Sequence, residues 1–181
     1  MIGRVLELGQ PVARLLDLDE NMSKVIKLSK GKATLVDDED FNWLSRWRWH
    51  FNSNGYAQRV FRIKQQDNKV GHVYLHHEVI GKPNGNLRID HINRNKLDNR
   101  KSNLRFASDR NNSHNTMART SNKLKIKGVY WDRVKQRYCT QITVNYKRIH
   151  IGSYKVLDDA IIAYNSKALK YFGAFAYLNK L

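Results

Sequence analysis

The sequence predicts an α+β protein made of several small units. Short stretches in which apolar and polar residues alternate are separated by turns rich in Asn, Gly and Ser, which is typical of antiparallel strands. Near the C-terminus, a stretch with small and aromatic residues at helical spacing predicts an amphipathic helix. The chain has 181 residues, of which 41% are hydrophobic and 27% charged, so one compact domain or a few small ones can form.

The charge balance indicates the class of partner. Lys and Arg number 33 against 16 Asp and Glu, which gives a net charge of +17. A chain this basic binds a polyanion or an anionic membrane surface. No apolar run approaches the roughly 18–20 residues that span a bilayer, and the N-terminal residues lack the pattern of a signal peptide. We therefore expect a cytoplasmic protein that binds nucleic acid and has no membrane partner.

The N-terminal part predicts an extension followed by a small subdomain. Residues 1–23 are acidic and rich in Leu, and residues 24–72 read as an α+β subdomain. Within the subdomain, alternation predicts two strands in KVIKL and KATLV, a short helix in DEDFNWLSRW, and two further strands in WRWHF and GYAQRVFRI. Because a unit this small needs bulky residues to form a core, we expect its aromatic residues to be buried. These are Trp43, Trp47, Trp49 and Phe51.

Residues 73–119 contain the candidate catalytic and metal-binding residues. LRIDH predicts a strand that ends at Asp90 and His91, and NLRFAS predicts a second strand after a polar loop. Ser108 or Asp109 can then cap a helix that runs to about Arg119. Two strands and a helix bring a carboxylate, an imidazole and an amide around one point. Oxygen ligands suit a hard divalent cation, and a neutral imidazole can deprotonate water, so the segment indicates phosphodiester hydrolysis.

This segment resembles the HNH nuclease family, and in particular the phage-type homing endonucleases, whose core is called the ββα-metal fold. The resemblance is carried by Asp90-His91, by Ser102-Asn103-Leu104 and by the helix with Asn112. It implies a single divalent metal ion held by Asp90 and Asn112, with His91 as the general base. It also implies that Asn103 orients the loop and the base. His76 or His77 matches the leading His of the family and is expected to be structural or to face a phosphate.

Two departures from other HNH branches bear on the metal. Asn rather than His at the final position favours Mg²⁺ or Mn²⁺ over softer metals. Cysteine knuckles are absent, since Cys139 is the single cysteine, so no structural zinc is implied. Asn111 and Asn115 remain alternatives to Asn112, because the sequence does not fix the helical phase.

The C-terminal part predicts a second module after a basic linker at residues 120–127. Residues 128–181 contain three strand-like runs, GVYWDR, RYCTQITV and RIHIGSY, and then a helix from about Leu157 to Phe172 that Gly173 ends. With its A-x-x-A-Y-N helix, the module resembles the AP2 DNA-binding domain, which implies a sheet that enters the major groove of double-stranded DNA. Alternation points one set of residues toward the helix: Tyr138, Thr140, Ile142 and Val144. It points the other set toward DNA: Arg137, Gln141, Thr143, Arg148 and His150.

These observations together predict a metal-dependent DNA endonuclease. The resemblance implies that it is of the homing type, encoded by a phage and acting in the cytoplasm of the bacterial host. One active site per chain suits the cutting of one strand, and the sequence leaves open whether the protein is a monomer or a dimer. The alternative is a sequence-specific DNA-binding regulator that retains the HNH fold as an inactive scaffold. An RNA-binding protein is a further alternative, although neither module resembles an RNA reader.

Overall fold

The computed structural model of the chain describes residues 23–63 and 69–181. Small antiparallel sheets and helices in these residues confirm the α+β class. The predicted extension, residues 1–23, lies outside them except for Ser23. The described chain forms two compact units, of which the first contains the residues up to Val79 together with Lys96–Ser102, and the second Ile80–Asn95 and Asn103–Leu181. The domain limits drawn from the sequence stay a prediction.

The first unit contains a hairpin, a three-stranded sheet and two short helices. The hairpin and first helix are β1 (Ser23–Lys27), β2 (Ala33–Asp37) and α1 (Asp38–Leu44). The sheet, in the order β3-β4-β5, consists of β3 (His50–Phe51), β4 (Ala57–Ile63) and β5 (Lys69–Tyr74), and α2 (Leu75–Ile80) follows it. The predicted strands are confirmed, although WRWHF contributes only its last two residues.

The core of the first unit is built around Trp49, which is only 2% exposed. Its indole N–H donates to the carbonyl oxygen of Leu44 at 2.8 Å, so the polar edge of the ring is satisfied inside the core. The prediction that Trp47 is buried is wrong, because 49% of this residue is exposed. The guanidinium of Arg59 lies 4.4 Å from the Trp47 ring, a cation–π contact at the surface of the unit.

Part of the polar loop after Asp90-His91 belongs to the first unit. The backbone N–H of Leu35 donates to Leu97, and that of Asn99 donates to Leu35, both at 2.8 Å. The amide nitrogen of Asn99 donates to the hydroxyl of Thr34 at 2.7 Å. Residues 96–102 are therefore fixed along β2, although their sequence shows no regular periodicity.

The second unit contains a hairpin, a short helix and a sheet with a long helix. The hairpin and helix are β6 (Leu87–His91), β7 (Leu104–Ser108) and α3 (Asp109–His114). The sheet, in the order β8-β9-β10, consists of β8 (Val129–Asp132), β9 (Arg137–Val144) and β10 (Lys147–Tyr154), and α4 (Leu157–Phe172) packs on it. These strands and the bounds of α4 confirm the prediction. None of the helices in the described ranges has the length and apolarity that crossing a membrane requires.

Helix α3 is shorter than predicted. Its N-terminus is capped as expected, because the Ser108 hydroxyl accepts the N–H of Asn111 at 3.2 Å. It ends at His114 instead of continuing to about Arg119. The ammonium group of Lys127 donates to the carbonyl oxygens of His114 and Thr116 at 2.7 Å each. These carbonyl oxygens thus accept hydrogen bonds from a Lys side chain instead of from the N–H groups of a further helical turn.

The core of the second unit lies between α4 and the sheet. Its buried residues are Val129, Ile142, Ala160, Tyr164 and Ala168. The hydroxyl of Thr140 donates to the carbonyl oxygen of Ala160 at 3.3 Å, so Thr140 and Ile142 face the helix as predicted. Gly128 has a φ of +75°, and a Cβ there would lie 2.1 Å from the Tyr164 ring, so only Gly fits.

Candidate active site

The hairpin of β6 and β7 supports the candidate site. Asp90 and His91 end β6, and each is 5% exposed. The antiparallel register pairs Asp90 with Arg105 and His91 with Leu104. Because successive side chains of a strand point to opposite sides, the carboxylate and the imidazole enter different surroundings from one short segment.

Asp90 is held by two neighbours. Its Oδ2 accepts hydrogen bonds from Nε and Nη2 of Arg105 at 2.8 and 2.6 Å. The side-chain nitrogen of Asn115 lies 3.0 Å from Oδ1 and 3.2 Å from Oδ2. Two N–H groups of Arg105, on Nε and Nη2, therefore converge on Oδ2 of Asp90, whereas the Asn115 amide lies closest to Oδ1.

The amide nitrogen of Asn115 lies at a point where four oxygen atoms converge. Besides the two oxygens of Asp90, it lies 3.0 Å from the carbonyl oxygen of His91 and 3.2 Å from that of Ile92. A primary amide has only two N–H groups, so four acceptors exceed what it can satisfy at one time. Hard divalent cations prefer such clusters of carboxylate and carbonyl oxygens. The Asp90 carboxylate and these carbonyls are therefore oxygens of the type that a divalent cation takes, and the Asn115 amide occupies the point between them.

Asn103 fixes the backbone that follows His91. Its Oδ1 accepts the N–H of Asn93 at 2.9 Å, and its carbonyl oxygen accepts the N–H of Ile92 at the same distance. The residue is 6% exposed, so these bonds are shielded from water. Asn103 thus holds the turn on which the position of His91 depends.

Of the three candidate Asn residues in and directly after α3, the structure brings Asn115 to Asp90. Asn115 is 4% exposed and directly follows the helix. Asn112 lies one helical turn earlier and is half-buried. Within the described ranges the Asn112 side chain makes no hydrogen bond. Asn112 is therefore close to Asn115 in the chain but has no hydrogen bond to Asp90. The half-buried Asn111 contributes its backbone N–H to the Ser108 cap.

Residues 72–114 match the model of the HNH endonuclease family. The predicted HNH endonuclease domain is therefore confirmed for this segment, which contains Asp90, His91, Asn103 and Asn112. The chain is also similar to an uncharacterised HNH endonuclease of Acanthamoeba polyphaga mimivirus. The two are 29% identical over 156 residues, which cover 85% of this chain and 79% of the relative.

The leading histidines of the HNH segment lie in α2, in the first compact unit. His76 is 7% exposed, and its ring stacks on Tyr74 with centroids 5.3 Å apart and an interplanar angle of 6°. The rings of Tyr56 and His77 meet it edge-on at 5.2 and 4.7 Å. This aromatic packing supports a structural role for His76.

Arg105 was not among the residues predicted from the sequence, although a signal for it was present. Asp90 and Arg105 are opposite charges at facing positions of a predicted hairpin, and such cross-strand pairs interact. Arg105 also donates from Nη1 to the carbonyl oxygen of Ala174 at 2.6 Å, and its guanidinium lies 4.0 Å from the Phe175 ring. One side chain therefore connects Asp90 to the turn that follows α4.

Positive charge is concentrated near the C-terminal end of α3. Burial, and next the charge of Arg94, lower the pKa of Lys127 to about 8. Burial, and next the charges of Lys127 and Arg110, lower the pKa of His114. The Tyr177 ring lies 4.5 Å from the guanidinium of Arg94 and 5.5 Å from the ammonium of Lys127. Such closely spaced cations attract a phosphate group.

The predicted DNA-facing residues lie on the C-terminal sheet. The register pairs Gln141 with His150 and Thr143 with Arg148, so these four share one face. A groove of about 1370 Å³ includes Gln141, Thr143 and Arg148 in its lining, whereas Arg137 and His150 lie outside it. Its basic residues are Arg110, Arg119, Lys123, Lys127, Arg133 and Arg148. The lining thus suits a polyanion.

Proposed function

We propose that the chain is a metal-dependent endonuclease that hydrolyses phosphodiester bonds in double-stranded DNA. The observation that carries this proposal is the buried carboxylate of Asp90 and the adjacent buried His91 at the end of β6, within the segment that matches the HNH endonuclease family. The match of residues 72–114 to the HNH endonuclease family and the net charge of +17 support it. The proposed cofactor is one Mg²⁺ or Mn²⁺ ion, without a structural zinc.

In the proposed reaction, Asp90 and Asn112 would hold the divalent cation. When bound, the cation would polarise the scissile phosphate and stabilise the negative charge that develops on it. Asn115 directs its N–H groups at Asp90, so we assign it the positioning of that carboxylate rather than a ligand role. The Asn112 side chain is half-buried and has no hydrogen-bond partner in the described part of the chain. Its side-chain amide oxygen is therefore available as a ligand.

His91 takes the role of general base. Its imidazole would accept a proton from the water that attacks the phosphate. Asn103 keeps the imidazole in place by holding the backbone of Ile92 and Asn93. We propose that one such site nicks one strand, and that a double-strand break requires a second chain or a second encounter.

The C-terminal module is proposed to bind DNA in the manner of an AP2 domain. Its outward face presents Gln141, Thr143 and Arg148 to the basic groove, and these side chains can contact base edges or phosphates. Arg137 and His150 extend the same face. A site-specific DNA-binding module joined to a nuclease is the arrangement that a homing endonuclease needs, and we extend the proposal to that class.

Nicking of a supercoiled plasmid tests the proposed function. The wild-type protein should nick in Mg²⁺ or Mn²⁺ and should be inactive in excess EDTA. His91→Ala should reduce the rate by roughly 10²–10⁴-fold, the usual contribution of a positioned general base, and Asp90→Asn should abolish nicking. Asp158→Asn and His72→Ala serve as matched controls, because they make similar changes at exposed residues of α4 and β5.

Two outcomes would contradict the proposal. Cleavage that persists in excess chelator would exclude the metal-dependent mechanism. Tight DNA binding by the wild-type protein, without cleavage in either metal, would favour the alternative of a DNA-binding regulator with an inactive HNH scaffold. A gel-shift measurement on the same preparation separates this second case from an unfolded protein.

A further inference from the structure

Arg105 lies between the candidate cation site and the C-terminal part of the chain. The Arg105 side chain is 15% exposed and that of Asp90 6%, so the ion pair between them is largely shielded from water. On its Asp90 side, Arg105 uses Nε and Nη2, at 2.8 and 2.6 Å from Oδ2. On its other side it uses Nη1, which donates to Ala174 at 2.6 Å, and the ring of Phe175 covers the guanidinium.

The charge of Asp90 requires a positive partner in the folded protein. A carboxylate this deeply buried is costly unless it is paired, and removing one partner of a buried ion pair is far more damaging than the pair is stabilising. Asn115 supplies only neutral N–H groups. Among the described residues, Arg105 supplies the formal positive charge that Asp90 contacts.

From this geometry we propose that Arg105 is the resident counter-charge of Asp90 and that the turn Gly173–Phe175 holds it there. Arg105 is thus a positioning residue that lowers the affinity of the site for a divalent cation and keeps the carboxylate fixed for catalysis. This inference rests on the proposed function, because it takes Asp90 to be a ligand of the cation.

The direction of the effect follows from electrostatics. A divalent cation and the guanidinium would share one carboxylate and therefore repel each other. Two groups that contact the same carboxylate lie roughly 4–5 Å apart. At that distance, even with the dielectric constant of bulk water, a unit charge and a dication repel each other by more than the free energy of a tenfold change in affinity. Replacing Arg105 by an uncharged residue should therefore tighten cation binding, while it releases the carboxylate from its fixed position.

The turn after α4 explains why the guanidinium stays in place. Rotation of Arg105 away from Asp90 would break the hydrogen bond to Ala174 and the contact with Phe175. A planar guanidinium fits this arrangement better than an ammonium group, because it stacks on the ring and donates in two directions at once. The C-terminal module thus contributes to the geometry of the candidate active site as well as to DNA binding.

Binding of Mn²⁺ to the full-length protein without DNA tests the inference, measured by electron paramagnetic resonance of free Mn²⁺. Arg105→Gln should bind Mn²⁺ about tenfold more tightly than wild type, or better, whereas Arg105→Lys should stay close to wild type because it keeps the charge. Asp90→Asn should bind least. The matched control is Arg94→Gln. It also removes one guanidinium that lies on an aromatic ring near the C-terminus, in this case an exposed one on Tyr177.

The nicking rate at saturating DNA provides the second measurement. Arg105→Gln should nick at least about tenfold more slowly than wild type, although it binds Mn²⁺ more tightly. Phe175→Ala should also lower the nicking rate and raise the Mn²⁺ affinity, each by a smaller factor. If Arg105→Gln folds poorly, Mn²⁺ should raise its Tm more than it raises that of wild type, because a ligand of the native state stabilises it.

Two results would overturn the inference. One is an unchanged or weaker Mn²⁺ affinity in Arg105→Gln together with an unchanged Mn²⁺-induced rise in Tm. The other is an equal gain in affinity in Arg94→Gln, which would show a nonspecific effect of net charge. Either result would leave the proposed endonuclease standing if Asp90→Asn still abolishes nicking, whereas a wild type that never nicks would refute the proposed function itself.

Discussion

Alanine substitutions at Asn112 and Asn115 should separate catalysis from stability. The two residues lie one helical turn apart, but the structure gives them different surroundings. The Asn115 side chain is buried and faces Asp90 and two backbone carbonyls. The half-buried Asn112 side chain has no hydrogen bond within the described ranges. Asn115→Ala should therefore destabilise the protein, whereas Asn112→Ala should remove activity and leave the free energy of unfolding nearly unchanged.

The magnitude can be worked out from the bonds that are lost. An amide has two N–H groups, so Asn115 makes two full hydrogen bonds at a time, one to the charged Asp90 and one to a neutral carbonyl. A bond to a charged group contributes about 1.5–3 kcal/mol and a neutral one about 0.5–1.5 kcal/mol. Because Arg105 still holds Asp90 in the variant, we expect a loss of about 2–4 kcal/mol for Asn115→Ala. A half-buried residue without partners should change the free energy by less than about 0.5 kcal/mol.

Urea unfolding in EDTA, followed by circular dichroism, measures the two free energies without a contribution from metal. A protein of this size loses about 2–4 °C of Tm per kcal/mol, so thermal melts should show the same order. Asn111→Ala is the control within the same helix. Equal destabilisation by Asn112→Ala and Asn115→Ala would refute the reasoning, as would a loss below about 1 kcal/mol for Asn115→Ala.

Three further predictions concern stability and DNA binding. Gly128→Ala should cost about 2–4 kcal/mol, since it combines a strained φ with overpacking, whereas Gly173→Ala, with open space around it, should cost about 1 kcal/mol in urea titrations. Burial lowers the pKa of His114 below 6.5, so below about pH 6.5 the unfolded chain takes up its proton first. The free energy of unfolding should therefore fall toward about pH 5, and His114→Gln should flatten that fall. Arg148→Ala should reduce the slope of log K against log salt by about 0.9 in binding titrations, whereas Lys170→Ala on the exposed side of α4 should leave it unchanged.

The secondary structure of the C-terminal module follows from local patterns. The period-2 alternation placed β8, β9 and β10, and the spacing of small residues gave the bounds of α4. Gly173 ended that helix at the predicted residue. These features depend on residues close together in the chain, which is why the sequence alone predicts them.

The candidate site was predictable in its residue types and not in its contacts. Spacing and charge pointed to Asp90, His91 and Asn103, and the match over residues 72–114 confirms the HNH segment that contains them. The sequence left Asn111, Asn112 and Asn115 as alternatives, because the position of Asn115 depends on where α3 ends. That end is set by Lys127, which lies 13 residues beyond His114.

The sequence by itself determined the charge, the HNH spacing and most of the strands and helices, because each of these is a local property of the chain. Only the tertiary structure decided which groups Asp90 contacts. Arg105 is 15 residues from Asp90 and 69 from Ala174, and these contacts depend on hairpin register and on the packing of the turn after α4. Similarly, the tertiary structure leaves Trp47 exposed and places the guanidinium of Arg59, on β4, 4.4 Å from its ring. Hydrophobic alternation and secondary-structure propensity depend on residues that are neighbours in the sequence. The counter-charge of Asp90 depends instead on which cationic side chain lies close to it in the folded protein.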